Sequence, residues 1–209
     1  MLKNTQWNLI VIDSFRHDGT SSRIRFILEE TPDFNDRIKV ITHDLKTPID
    51  KITANQIGDV DIIINAASMA SVDESILNSR YFIENNIGIS LTMLEYAKTI
   101  KNLKMFIQVS TDEVYGSTSL EKSHKEWDTQ IPSNPYSASK SAQESISIAY
   151  WRTFNIPLVI TNTMNMFGER QDNKAFIPRI INKLLQNEVV QIHSKYIDGQ
   201  WFPGVRSYL

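Results

Sequence analysis

Cysteine is absent from the chain, which excludes disulfide bridges and thiolate metal sites and agrees with a reducing compartment. Histidine is scarce. His17, His43, His124 and His193 are scattered, with no spacing that would gather them around a metal ion. Glycine is the third shortage: the seven glycines, at positions 19, 58, 88, 116, 168, 199 and 204, are all isolated. No glycine-rich turn therefore stands ready to cradle a phosphate at a helix N-terminus. Charge of one sign is lacking too, since a formal net charge of -2 over 209 residues leaves no electrostatic footprint for nucleic acid or an anionic membrane. No apolar run is long enough to span a bilayer, and the N-terminus carries no signal-peptide pattern. What remains is a cytoplasmic protein of one domain or slightly more, without metal, nucleic acid or membrane as partner. With 41% hydrophobic residues it can bury a sizeable core.

What is present is an alternation. "NLIVID" (8–13), "KVIT" (39–42), "DIIINAA" (61–67), "MFIQVS" (105–110) and "PLVITN" (157–162) read as strands. They are continuously apolar, as expected when helices cover both faces of a parallel sheet. "SSRIRFILEE", "YFIENNIGISLTMLEYAKTI" and "YSASKSAQESISIAYWRTF" read as the intervening helices. This order predicts a doubly wound α/β domain. A further helix, "AFIPRIINKLLQ", and the short apolar run "VVQIH" follow, while "STSLEKSHKEWDTQIPSNP" reads as a surface loop. The first strand ends in Asp13. In a dinucleotide-binding fold an acid at the end of the second strand accepts hydrogen bonds from the adenosine ribose, though a turn-forming aspartate is an equal reading.

Two stretches carry chemistry. In "VSTDEVYG" (109–116) an apolar strand finishes in two adjacent acids, Asp112 and Glu113, beside Ser110 and Thr111. Either the chain reaches solvent there, or a reaction needs an acid and a base at one spot. In "NPYSASKSAQES", Tyr136 and Lys140 are four residues apart on a predicted helix, which places both on one face. A nearby ammonium favours a phenolate, so the pair is expected to act as a general base on an alcohol. A surface lysine beside a half-buried tyrosine is the bland alternative.

With these motifs in order, the chain resembles the extended short-chain dehydrogenase/reductase family of NAD-dependent epimerases and dehydratases. The most similar branch is that of the nucleotide-sugar 4,6-dehydratases, the dTDP-glucose 4,6-dehydratases among them. "NAASMASVDES" resembles the family's Ala-Ala loop against the cofactor and "IENNIG" its Asn-bearing helix. "VSTDEVYG" resembles the active-site strand, "NPYSASK" the Tyr/Lys helix, "TNTMNMFGERQ" the substrate stretch and "GVRSYL" the start of an Arg-containing segment. The resemblance implies a lyase that uses NAD and makes a 4-keto-6-deoxy sugar, an entry to deoxysugar biosynthesis. Tyr136, assisted by Lys140 and aligned by Thr111, would deprotonate the sugar 4-hydroxyl while hydride leaves C4. Glu113 would take the C5 proton, and Asp112 would protonate the departing 6-hydroxyl before hydride returns to C6. Cofactor contacts are implied for Asp13, Asp44, Leu45, Ala66, Ala67, Ser68, Tyr136 and Lys140. Asn162, Asn165, Lys174 and Arg206 would contact the substrate. A homodimer paired through the two long helices is the family's usual assembly.

Residues 1–163 then form an NAD-binding Rossmann-like domain, and residues 164–209 the beginning of a small substrate lobe. In the strand order 3-2-1-4-5-6 the first strand is central, and neither it nor its glycine turn is present in these 209 residues. The parallel sheet is thus expected to be incomplete, NAD binding poor and stability marginal, with Met1 an internal methionine of a longer frame. Two other functions stay open at this point. One is a 4-epimerase or decarboxylase of the same family, against which the Asp112–Glu113 pair argues. The other is a non-catalytic remnant that dimerises or binds a sugar nucleotide.

Overall fold

The computed structural model describes residues 1–16, 21–118, 123–173, 175–192 and 194–204. It divides into two compact units, Met1–Asn162 and Thr163–Leu209. The first unit opens with β1 (Leu9–Asp13), α1 (Ser21–Glu30), β2 (Ile38–Thr42) and α2 (Lys51–Ile57). It continues with β3 (Ile62–Asn65), α3 (Val72–Leu77), α4 (Ser79–Ala97), β4 (Met105–Thr111) and α5 (Pro135–Phe154), and β5 (Leu158–Thr163) lies at its boundary. Each of these five strands falls on a predicted apolar run.

The sheet is in two pieces. β1 pairs in parallel with β2, Val11 opposite Val40, and β3 pairs in parallel with β4, Ile64 opposite Ile107. The orders are β1-β2 and β3-β4-β5. Among the described residues β1 has β2 as its one neighbour and β3 has β4, which is the interruption expected when a central strand is lacking. The core gathers where helices cover the three-stranded piece. Leu94 and Phe106 are wholly buried, with Ile57, Ile63, Ile89 and Met93 beside them, and Ile10 and Ile12 of β1 join as partly buried neighbours. Each such side chain contributes about 1.5–3 kcal/mol by leaving water.

α5 begins where the sequence dictates. Asn134 accepts a hydrogen bond from the Ser137 amide at 2.8 Å and donates its own amide to the Ser137 hydroxyl at 3.2 Å. This is a capping box, with Pro135 in the first turn, where no amide donor is required. α2 and α3 are absent from the sequence reading. They are too short to establish a helical period and are started by caps, Asp50 accepting from Thr53 N at 2.7 Å and Ser71 from Glu74 N at 3.2 Å.

In the second unit α6 (Phe176–Leu185) precedes a hairpin of β6 (Ser194–Ile197) and β7 (Gln200–Pro203). Asp198 and Gly199 turn the hairpin with φ of 49° and 84°, the doubly left-handed turn that matches strand twist and that glycine permits. The apolar run 189–192 lies outside both strands.

Candidate active site

β4 ends at Thr111, and the chain turns at once into a single 3-10 turn, Asp112–Tyr115. The Thr111 hydroxyl accepts from the Glu113 amide at 3.3 Å and donates to the Asp112 carboxylate at 3.3 Å. The turn keeps the two acids together at the strand end, both partly exposed, while Val114 and Tyr115 are buried behind them. Gly116 leaves the turn with φ 80°, and a Cβ there would stand 2.4 Å from the Ile131 carbonyl oxygen. Only glycine allows this crossing.

α5 delivers its residues to the same place. The Tyr136 amide donates to the buried Ser75 hydroxyl at 3.1 Å, and the Tyr136 phenol shares a hydrogen bond with Thr111. Asn134 caps α5 with its side-chain oxygen and donates its Nδ2 to Glu113 Oε2 at 3.3 Å. One residue therefore registers the helix against the acidic turn. Lys140, 3% exposed, donates from Nζ to the Val109 carbonyl at 2.5 Å. Burial pushes its ammonium down to about 8, opposed by Glu144.

The expected electrostatics of the pair are reversed. Burial pushes the Tyr136 phenol up to about 12 and the Glu113 and Asp112 carboxylates push the same way, with only the Thr111 hydrogen bond opposing. The Lys140 ammonium is engaged with a backbone carbonyl, so the charges that act on the phenol are the acids.

A buried polar network, not found from the sequence, braces this arrangement. Asn86 accepts from Met69 N at 2.8 Å and donates to Met69 O at 3.0 Å and to the Ser139 hydroxyl at 2.8 Å. The loop after β3 is thereby tied to α4 and α5. Gln143 donates to Asn86 O at 2.6 Å, and Gln108 accepts from Asn65 at 2.8 Å while donating to Gln143 at 3.3 Å. Asn86, Gln108 and Gln143 are fully buried. A glutamine inside an apolar strand, as in "MFIQVS", is the signal that could have found them.

The remaining predicted residues are dispersed. Asp13 ends β1 and accepts from Phe15 N at 2.8 Å, with Phe15 at φ 51°. Asp44, just beyond β2, pairs with Arg16 and accepts from Lys46 N at 3.1 Å. Burial pushes its carboxyl up, but the Lys46 amide and the Arg16 guanidinium outweigh that and hold it below the usual carboxylate range. Leu45 places its side chain in the hydrophobic core. Ala66, Ala67 and Ser68 follow β3 in the loop that Asn86 braces, Ala66 exposed. Asn162 donates from Nδ2 to Glu144 Oε1 at 2.7 Å and to Thr111 O at 3.3 Å, so this amide nitrogen is engaged within the first unit. Asn165 belongs to the second unit. Lys174 and Arg206 lie outside the described residues. The structure thus unites Thr111, Asp112, Glu113, Tyr136 and Lys140, while Asp13 and Asp44 stand at the ends of the other sheet piece. Among the described residues no helix is long and apolar enough to cross a membrane.

The model of a family described as GDP-mannose 4,6 dehydratase matches residues 1–200. The chain is 41% identical over 144 residues to the dTDP-D-glucose 4,6-dehydratase of Dictyostelium discoideum, covering 64% of this chain and 33% of that protein. It is 31% identical over 210 residues to the dTDP-glucose 4,6-dehydratase of Haemophilus influenzae, covering 86% and 61%. A solved double mutant of a Streptomyces venezuelae dTDP-glucose 4,6-dehydratase with NAD bound matches at TM-score 0.82 and 28% identity, over 97% of this chain and 58% of that one. A Bacillus cereus UDP-glucuronic acid 4-epimerase in complex with UDP-glucuronic acid and NAD matches at TM-score 0.78 and 27% identity, over 90% and 58%. The chain spans from a third (33%) to three-fifths (61%) of the length of these proteins. The fold is Rossmann-like, with its parallel sheet incomplete.

Proposed function

The chain belongs to the GDP-mannose 4,6-dehydratase family, and on that premise we propose that the protein carrying it is a cytoplasmic, NAD-dependent nucleotide-sugar 4,6-dehydratase. It is a lyase that turns a nucleoside-diphosphate glucose into its 4-keto-6-deoxy derivative. The observation that carries this reading is the meeting of the Tyr136 phenol with Thr111, Asp112 and Glu113 at one strand end. Epimerisation at C4 needs no second acid–base pair, whereas loss of water across C5 and C6 needs one group to accept a proton and another to give one.

The residues present fit a dinucleotide. Asp13 and Asp44 are carboxylate acceptors at two strand ends, suited to ribose hydroxyls and the adenine amino group. The Arg16–Asp44 pair is a surface contact worth about 0–1 kcal/mol and can give way. The small residues Ala66, Ala67 and Ser68 lie in a loop held at Met69 from both sides by Asn86, and Tyr136 and Lys140 would serve the nicotinamide end. When bound, NAD supplies reversible hydride acceptance at the sugar's C4 and C6. The seven glycines are isolated, so the sequence carries no glycine-rich turn to cradle a pyrophosphate. Calorimetry of this 209-residue chain with NAD is expected to give a Kd weaker than about 1 mM, and tighter binding would contradict that.

Tyr136, acting in its phenolate form, takes the proton of the sugar 4-hydroxyl, which the Thr111 hydroxyl aligns. A protonated Asp112 relieves part of the negative charge that holds the phenol proton. Glu113, steadied by Asn134, takes the C5 proton made acidic by the 4-ketone, and Asp112 gives its proton to the departing 6-hydroxyl. Glu113 then returns its proton to C5. The proton gained by Tyr136 balances the one Asp112 loses, so one water leaves overall. Asn165, Lys174 and Arg206 are assigned to substrate binding on the strength of the family resemblance alone. A homodimer through α4 and α5 is part of the proposal, since Leu91, Ile148, Trp151 and Phe154 are exposed there; sedimentation tests it.

The decisive assay supplies dTDP-glucose and saturating NAD to the protein and reads the sugar by NMR. A C6 methyl group beside a 4-ketone is expected, and a C4 epimer retaining its 6-hydroxymethyl overturns the reading. Tyr136→Phe should lower kcat/KM by about 10²–10⁴-fold. The double change Asp112→Asn with Glu113→Gln should abolish methyl formation and C5 proton exchange with solvent.

A further inference from the structure

Glu144 is a buried acid that the chemistry above leaves unused. It is 4% exposed and lies one helical turn beyond Lys140 on α5. Its Oε1 accepts from Asn162 Nδ2 at 2.7 Å and its Oε2 from Gln130 Nε2, while Gln130 in turn accepts from the Ser141 hydroxyl. The same Asn162 Nδ2 reaches the Thr111 carbonyl at 3.3 Å. One carboxylate thus joins α5, β5, the end of β4 and the loop that leads into α5. Burying a carboxylate is costly unless hydrogen bonds compensate, and here amide donors serve both oxygens. Besides burial, Glu144 is the group that acts on the Lys140 ammonium.

We propose that Glu144 is a positioning residue for the reactive set, placing negative charge one turn behind Lys140 and fixing, through Asn162, the strand end that presents Thr111 and Asp112. Its consequence for turnover rests on the dehydratase reading, but its two physical effects do not. Both are measurable without substrate.

The first is read from the titration of Lys140 in protein labelled with ¹³C at lysine Cε, with Lys140→Arg assigning the resonance. The midpoint expected in the parent chain is about 8. In Glu144→Gln it falls by about one pH unit, because the carboxylate that favours the ammonium is gone. An unchanged midpoint in a folded Glu144→Gln protein overturns the proposal. The second effect is read from hydrogen exchange of the Asp112 and Glu113 amides. Asn162→Ala leaves the Lys140 midpoint in place, and exchange there speeds by about tenfold as the tie to Thr111 is lost; exchange at the parent rate overturns the positioning role. Should Glu144→Gln fail to fold, Glu144→Asp keeps the charge with a shorter reach. It is expected to preserve the midpoint and speed exchange, and the opposite pattern sinks the idea. Failure of the sugar assay would leave all these outcomes readable.

Discussion

β1 and β4 are both continuous apolar runs, yet they reach opposite states. β4 buries Phe106, Gln108, Ser110 and Thr111, whereas no residue of β1 is buried. The helices follow suit: α1 has no buried residue, while α4 buries Phe82, Ile89, Met93 and Leu94 among others. Composition does not separate the two strands; neighbours do. β4 lies between β3 and β5 under α4 and α5, and among the described residues β1 has β2 alone. The piece that carries Thr111 and leads into Asp112 and Glu113 is built as a closed core, and the piece that carries Asp13 and Asp44 is not. Firm placement of side chains needs a packed surround, so Thr111, Asp112, Glu113, Tyr136 and Lys140 are better held than Asp13 and Asp44, which stand on an open edge.

Substitutions can measure that contrast. Phe106→Ala empties the centre of the closed piece and is expected to cost about 3–5 kcal/mol in urea unfolding. Val40→Ala, on the open piece where Val40 is 43% exposed, should cost less than about 1 kcal/mol. Equal losses would erase the contrast. Next in size is Gly116→Ala, where a positive φ of 80° combines with a 2.4 Å approach to the Ile131 carbonyl oxygen. About 2–3 kcal/mol is expected, together with displacement of the acidic turn. Gly199→Ala has a similar φ of 84° but nothing within 4 Å, so it isolates the conformational part, about 1–2 kcal/mol. A Gly116→Ala loss no larger than the Gly199→Ala loss would show that the Ile131 crossing relaxes freely.

Much of this division was legible beforehand, because long apolar runs and helical faces depend on local periodicity. α2 and α3 were not, since a helix of one or two turns rests on a cap and on packing. The hairpin was readable in Asp198–Gly199, a signal left unused. Within the site, Tyr136 and Lys140 share a face by spacing alone, and Glu144 continues that spacing. Their meeting with Asp112 and Glu113 is different, because the intervening loop has no period from which its path could be inferred. The order of motifs, not geometry, suggested it. The direction of the Tyr136 shift was misjudged for the same reason: it depends on burial and on carboxylates brought near by that loop.

Alkaline titration gives the next contrast. Lys140 is depressed to about 8, so the unfolded chain binds more protons between there and the ordinary lysine value. Stability should rise with pH across that window. Tyr136 is raised to about 12, so above the ordinary tyrosine value near 10 the folded chain holds the extra proton. Stability should fall again from there. Lys140→Met is expected to remove the rising limb and Tyr136→Phe the falling one, each read from urea midpoints as a function of pH. If neither limb responds, the two groups are not buried in solution.

The smallest effect belongs to the open piece and lies on the acid side. Asp44 is held below the usual carboxylate range because Lys46 N and Arg16 outweigh the upward push of burial. A depressed carboxyl contributes stability above its unfolded value and loses it as pH falls through the folded one. Arg16 is 61% exposed at its side chain, so solvent screens the pair and the contribution stays below about 1 kcal/mol. Asp44→Asn should therefore flatten the loss of stability below pH ~4 only slightly, and added salt should shrink even that difference. An Asp44→Asn effect as large as those of Lys140 and Tyr136 would mean that the edge of β2 is as enclosed as the end of β4, and the division between the two sheet pieces would not hold.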